Sequence, residues 1–341
     1  MAHTALDEVK GGAFVRSAST LTGRLGSAAH PAVGGGRYVL YVAYGCPWAC
    51  RVLAVIALKG LEREVRVVVC CPTWQRTRPG EPADEHRGWV FRARAAPGSA
   101  DERLEEVPLR DPLFSAETIR EVYEAACDAG LGVSKFTVPL LVDSESRRAV
   151  CNESSLLLRD LGGLLFNSVA RFPEVNLYPP ALSAEIEAAN ERMYEALNNG
   201  VYKCGFAQSQ SAYDAASAAL AEVFDEFDAR LARSASGFVC GDAITEADVR
   251  LFVTLVRFDP VYVVHFKCVF RSVRARPALI SFLRRVHSAR GGEGGLSVGE
   301  FSVNLPHIKT HYFCSHPMLN PFAIVPRGHP DEGAELLGEC R

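Results

Sequence analysis

The sequence predicts an α/β half followed by an all-helical half, and three observations predict it. At 341 residues the chain exceeds what a single hydrophobic core usually organises. Its first half alternates short β-branched and aromatic runs with helical segments. From about Ala181 the texture changes to long Ala-, Glu- and Leu-rich periodic stretches, and Pro179-Pro180 marks the break.

Residues 1–36 are rich in Gly, Ser and Ala and end in Gly34-Gly35-Gly36, which reads as a surface-hugging extension that covers the core without being a domain. Tyr38 to Ala43 has the composition of a buried strand, and Pro47 to Lys59 that of a helix stopped at Gly60. Glu64 to Cys70 gives a second strand. Pro72 to Asp111 is dense in Pro, Gly, Arg and Glu, and so long a loop is expected to be functional or an insertion. Ala116 to Ala129 reads as a helix, Val138 to Val142 and Ala149 to Cys151 as strands, and Ser154 to Leu161 as a helix. The order over residues 37–165 is therefore β-α-β-α-β-β-α.

In the second unit, residues 180–326, Ile186, Ala189, Met193 and Leu197 recur at helical spacing, as do Ala216, Leu220, Val223, Phe227 and Leu231; these are core stripes rather than cofactor boxes. Thr245 to Asp248, ahead of an apolar run, resembles a capping box and is a folding signal. Gly291 to Gly295 reads as a flexible insertion and residues 327–341 as a loose tail.

Composition narrows the function classes. The chain is 48% hydrophobic and 23% charged, with a net charge of −3 and no long run of one sign, so nothing marks a nucleic-acid footprint. The most apolar stretch, Leu251 to Val264, carries Arg257 and Asp259 and is too short to span a bilayer. The first thirty residues lack a signal-peptide core, although a mitochondrial address stays open. The 11 cysteines form an odd, scattered set in a chain too large to need staples, which reads as reduced thiols in the cytoplasm. No C-x-x-C pairs recur, and Cys70 and Cys71 would point to opposite faces of a strand, so a structural zinc site is not expected.

The chemistry concentrates at Cys46. It follows a strand and precedes Pro47, a residue suited to the first helical position, so Cys46 is placed as the N-cap of the helix. The free amides and the positive end of the helix favour a thiolate there, and the pKa is expected to fall below its ordinary value of about 8.5. Cys50, one helical turn on, either packs on the helix flank or serves as a resolving thiol. Val138-Pro139 at the start of a strand is either a cis bond that turns the Val138 backbone toward a ligand or an edge-strand proline. Asn152-Glu153-Ser154-Ser155 opens a helix; the residues are ordinary caps, or they receive the carboxylate and ammonium of an amino-acid-like ligand.

These three elements in this order, followed by a helical unit, resemble the glutathione transferase superfamily, with its α/β thioredoxin-like N-terminal domain and all-α C-terminal domain. The likeness is closer to its xi class, the glutathionyl-hydroquinone reductases. It is carried by Phe14-Val15-Arg16, Tyr41 to Ala49, Leu58 to Glu62, Gly88-Trp89-Val90-Phe91, Phe136 to Pro139, Asn152 to Ser155, Asn198 to Lys203, Phe258 to Val263, His265 to Cys268, and His307 to Tyr312, and so covers nearly the whole chain.

The resemblance implies that Cys46 attacks the sulfur of a glutathionyl-hydroquinone, releases the quinol and forms a mixed disulfide that a second glutathione resolves. Glutathione is then a co-substrate, with no metal. The likeness places Trp89, Arg120, Val138, Glu153 and Ser154 on glutathione, and Tyr202, Tyr262 and Tyr312 around the aromatic acceptor. It also implies a homodimer. Cys50 stands where the family usually has His, and the Gly291 to Gly295 segment lengthens a connection expected near the substrate side. An omega-like thioltransferase or dehydroascorbate reductase, and a non-catalytic ligand-binding homologue, are the competing readings.

Overall fold

The structure, a computed structural model, describes residues 8–91, 107–328 and 336–337. Part of the loop expected from Pro72 to Asp111, and most of the expected tail, lie outside the described residues.

The sheet that positions the site has four strands: β3 (Tyr38–Val42), β4 (Val65–Val69), β7 (Leu140–Asp143) and β8 (Arg148–Cys151), in the order β4-β3-β7-β8. β3 runs parallel to β4, with Leu40 opposite Val67, and antiparallel to β7, with Leu40 also opposite Leu141. A parallel pair needs a crossover, and α1 (Pro47–Lys59) supplies it. Twelve of its thirteen residues are buried, which is why its sequence is apolar all round rather than striped. Gly60 ends it in the left-handed conformation, φ 65°. The short antiparallel pair β5 (Gln75–Arg76) and β6 (Arg87–Gly88), α2 (Ile119–Ala126) and α3 (Ser154–Gly162) complete the unit. The expected strands and helices are present with bounds within three residues of those expected; Val138-Pro139 immediately precedes β7 instead of lying within it.

The helical unit comprises α4 (Ser183–Met193), α5 (Gly200–Phe206), α6 (Gln210–Arg233), α7 (Glu246–Arg257), the single turn α8 (Val263–His265), α9 (Pro277–Ser288), α10 (Val298–Ser302) and α11 (Leu305–Ser315). Two π-helical turns, Tyr194–Asn198 after α4 and Phe258–Tyr262 after α7, interrupt the regular winding. Such turns often mark functional sites: the first sets Tyr194 edge-on to Trp48 at 5.9 Å and lets Asn198 accept from Arg51 of α1 at 2.8 Å, and the second sets Tyr262 against Tyr312 within the helical unit. α1 packs directly on α7 and α10, so the two units share one core. The capping box opens α7: Asp248 accepts from the Thr245 N–H at 2.8 Å and also from Val239 N–H at 2.7 Å.

The N-terminal extension covers the core and is pinned to it. A small hairpin, β1 (Val9–Lys10) with β2 (Ala13–Phe14), buries Phe14, and Thr22 bridges to Cys151 at the edge of β8. The Leu21 N–H donates to Asn152 Oδ1 at 3.1 Å, which pins the segment across the sheet edge. The glycine-rich stretch is packed rather than flexible: Cβ atoms on Gly291, Gly292 or Gly295 would collide with Phe172, and Arg171 holds the carbonyl of Gly294. It lies by the Leu58 carbonyl at the C-terminal end of α1. That is roughly 20 Å along a thirteen-residue helix from Cys46, so it is not on the substrate side.

Candidate active site

The turn after β3 delivers Cys46 to the N-cap of α1 with extended φ and ψ (−86°, 112°) and Pro47 at the first helical position. The Cys46 N–H donates to Ala43 O at 2.9 Å, closing the turn. Across from it the Val138-Pro139 peptide is cis, and the Cys46 thiol donates to the Val138 carbonyl at 3.2 Å. Two elements distant in sequence thus meet at one sulfur.

The electrostatics differ from the sequence expectation. Burial is the largest influence and pushes the Cys46 thiol up to about 11, while the amides of Ala49 and Trp48 and the charge of Arg257 pull it down. A helix end stabilises an anion by about 0.3–1 kcal/mol. Removing a thiolate from water costs more, so burial prevails in the free site. The amide contribution was legible from the sequence; the burial was not.

Cys46 opens on a cleft between the two units, of about 1140 Å³ with its mouth included. Trp89, Val138, Glu153, Ser154 and Tyr202 all line it. Trp89 stacks on His311 with centroids 4.5 Å apart. Glu153 caps α3, accepting from the Ser155 N–H at 2.9 Å and its hydroxyl at 2.8 Å. Burial pushes its carboxyl up, but the Ser155 and Ser19 hydrogen bonds and the Arg51 charge outweigh that, so it lies below its ordinary value. An ionised carboxylate beside helix amides and the Ser154 hydroxyl can receive the ammonium and carboxylate of a γ-glutamyl group.

Arg120 is placed differently from the resemblance. It does not line the cleft: its Nη1 donates to Asp84 at 2.6 Å and to Thr77 at 3.3 Å, and its Nε to Glu124 at 3.0 Å. Thr77 in turn contacts His86 Nδ1 at 2.8 Å, and His86 does line the cleft. With two carboxylates in reach the guanidinium is committed to holding this loop. Tyr262 and Tyr312 are also behind the cleft wall rather than on it, fully buried. They join Tyr202 through their hydroxyls, Tyr202 to Tyr312 at 2.7 Å and Tyr312 to Tyr262 at 3.0 Å, so the chain of phenols reaches the cleft at Tyr202.

The structure adds residues whose part in the site was not legible in the sequence. Arg16, from the N-terminal segment, lies over the rings of Trp48 at 4.7 Å and Tyr202 at 5.1 Å and donates to Asn199 at 2.7 Å. Lys135, ion-paired to Glu8 at 2.6 Å, and His311 also face the cleft. Arg16 and His311 sat inside stretches that carried the family likeness, which is the one signal that marked them. Among the described residues no cluster of three or more His, Cys, Asp or Glu could hold a metal ion.

An α/β unit that presents a cysteine at a helix N-terminus opposite the carbonyl of the residue before a cis-proline, backed by a helical unit that walls the cleft, is the architecture of a glutathione transferase. The comparisons agree. The Glutathione S-transferase, C-terminal domain family matches residues 210–285. Glutathionyl-hydroquinone reductase PcpF of Sphingobium chlorophenolicum is 38% identical over 93% of this chain and 90% of its own length. Glutathionyl-hydroquinone reductase YqjG of Escherichia coli is 37% identical over 93% and 89%. The crystal structure of the xi glutathione transferase from Phanerochaete chrysosporium superposes with a TM-score of 0.79 at 37% identity, covering 94% of each chain. That of ECM4 from Saccharomyces cerevisiae in complex with glutathione gives 0.80 at 30% identity, covering 93% of this chain and 99% of that one. The chain belongs to the glutathione transferase family and, within it, to the xi class that contains the glutathionyl-hydroquinone reductases.

Proposed function

We propose that this chain reduces S-glutathionyl-hydroquinones, with Cys46 as the nucleophile and glutathione as the reductant. The observation that carries the reading is the placement of the Cys46 sulfur against the Val138 carbonyl in a cleft also lined by Glu153, Ser154 and Tyr202. The γ-glutamyl end of glutathione takes Glu153 and Ser154, its cysteinyl N–H takes the Val138 carbonyl, and Trp89 packs on its flank. The quinol ring lies toward Tyr202, whose hydroxyl is oriented by Tyr312 and, through it, Tyr262.

Glutathione binding also activates the thiol. The Val138 carbonyl is the acceptor of the Cys46 S–H. A ligand N–H donated to that oxygen competes with the thiol proton and leaves the Trp48 and Ala49 amides as partners of the sulfur, which favours the thiolate. The thiolate attacks the sulfur of the conjugate. The sulfur–ring bond breaks, the ring carbon takes a proton, and hydroquinone leaves. A second glutathione thiolate then attacks the glutathione sulfur of the mixed disulfide, giving oxidised glutathione and free Cys46.

The chain of phenol hydroxyls that reaches the cleft at Tyr202 favours a quinol over the small acceptors of the omega-like reading. Homodimerisation and residence in the cytoplasm belong to the same proposal. No helix among the described residues is long and apolar enough to cross a membrane. Assay of glutathionyl-hydroquinone reduction by the wild type and Cys46→Ala tests the reading: the variant is expected to lose activity, and a variant as active as the wild type overturns it.

A further inference from the structure

We infer that Cys50 is a second reacting thiol of this site, which displaces glutathione from Cys46 and leaves a Cys46–Cys50 disulfide. The inference rests on the Cys46–glutathione intermediate proposed above and deepens it.

Cys50 lies one turn inside α1, and its N–H donates to the Cys46 carbonyl at 3.1 Å. Four residues of helix advance about 6 Å, within the range of about 4.4–6.8 Å that Cα atoms of a disulfide span. Cys46 is the N-cap with extended backbone angles, so its side chain is not committed to the helical direction. Cys46 lines the cleft, whereas Cys50 is 1% exposed and does not line it. Glutathione displaced from Cys46 therefore departs into the cleft, while the attacking thiol stays on the buried side.

Arg257 supplies the second observation. Its guanidinium is fully buried, donates from Nη2 to Cys50 Sγ at 3.1 Å and to Tyr44 O at 2.7 Å, and from Nη1 to Val253 O at 2.6 Å. Its Nε has no hydrogen-bond partner, and among the described residues no carboxylate forms an ion pair with it. A buried cation without a carboxylate is completed by an anion, and the sulfur it touches can become one. Burial raises the Cys50 thiol above its ordinary value and Arg257 opposes that rise. The contact stabilises the anion at the moment it is needed.

The step balances without a further oxidant. The Cys50 sulfur forms a bond to the Cys46 sulfur, the bond from Cys46 to the glutathione sulfur breaks, and glutathione leaves with the Cys50 proton. One glutathione then reopens the internal disulfide and a second removes the first as oxidised glutathione, so the overall stoichiometry is unchanged. The gain is that Cys46 is protected as an internal disulfide when glutathione is scarce.

The test uses the full chain, treated with oxidised glutathione, freed of excess, then alkylated and analysed by intact mass and peptide mapping. The wild type is expected to lose the glutathione adduct, release reduced glutathione in equal amount and yield a Cys46–Cys50 disulfide peptide. Cys50→Ser and Cys50→Ala are expected to retain glutathione on Cys46, losing it at least about tenfold more slowly than the wild type, since an intramolecular attack is replaced by none. A wild type that keeps its adduct as long as either variant, or that pairs Cys46 with Cys70, overturns the inference while leaving the mixed disulfide intact. If neither variant takes up glutathione at Cys46, the underlying mechanism fails and the inference falls with it.

Discussion

Gly45→Ala is the substitution that separates close packing at the catalytic turn from mere sequence likeness. A Cβ at Gly45 would stand 2.5 Å from both Cβ and Cγ of His311 and 2.6 Å from Cδ2, well inside contact distance. Gly45 is not among the glycines with positive φ, so the effect is steric rather than conformational. His311 has little room to retreat. Its ring stacks on Trp89 at 4.5 Å, meets Trp74 edge-on at 5.3 Å, and lies 2.9 Å through Nδ1 from the Pro72 carbonyl. Either His311 or the Cys46 turn must shift, at an overpacking cost of about 1–3 kcal/mol. A misplacement of about 1 Å in a reacting group can cost roughly a hundredfold in rate.

Gly45→Ala is therefore expected to melt a few degrees lower and to lose about ten- to a hundredfold in kcat/KM for a glutathionyl-hydroquinone. Gly80→Ala is the control, since a Cβ there meets nothing within 4 Å and its φ is not positive. Thermal unfolding and steady-state assays of both variants decide the matter. A Gly45→Ala protein indistinguishable from the Gly80→Ala control in both measurements refutes the packing argument.

Two further predictions follow from the same geometry. Because the Cys46 thiol is held up to about 11 in the free protein, its alkylation rate should rise about tenfold per pH unit from neutrality to about pH 10, with no plateau below that. In the presence of S-methylglutathione the plateau should move to lower pH as the ligand claims the Val138 carbonyl; a plateau near neutrality without ligand contradicts the burial argument. Arg16→Ala removes a cation that lies over Trp48 and Tyr202 and is bonded to Asn199. Cation–π contacts of about 0.5–2 kcal/mol predict a rise in KM of roughly 3- to 30-fold with kcat less affected, and unchanged KM would mean that the segment is only a cover.

Local chemistry was readable where a single short segment carries it. Cys46 followed by Pro47 announces a cysteine at a helix N-cap, and the capping box at Thr245 announces the start of α7, because each depends on neighbours within a few residues. The four-strand sheet and the helical second unit were legible from periodicity for the same reason. Val138-Pro139 stayed ambiguous between a cis bond and an edge strand until its position before β7, facing the Cys46 sulfur, was seen.

By itself, then, the sequence determined which residue types stand at the ends of strands and helices, since these follow from propensity and capping. Tertiary structure decided which of them share a surface. It took Arg120 away from the cleft, because Asp84 and Glu124 reach its guanidinium first. It brought in Arg16 across 183 residues to Asn199, and it turned the glycine-rich stretch into packing around Phe172. It also reversed the expected acidity of Cys46. Helix amides are local and visible in sequence, whereas desolvation depends on everything that covers the sulfur, and that is known only once the chain has folded around it.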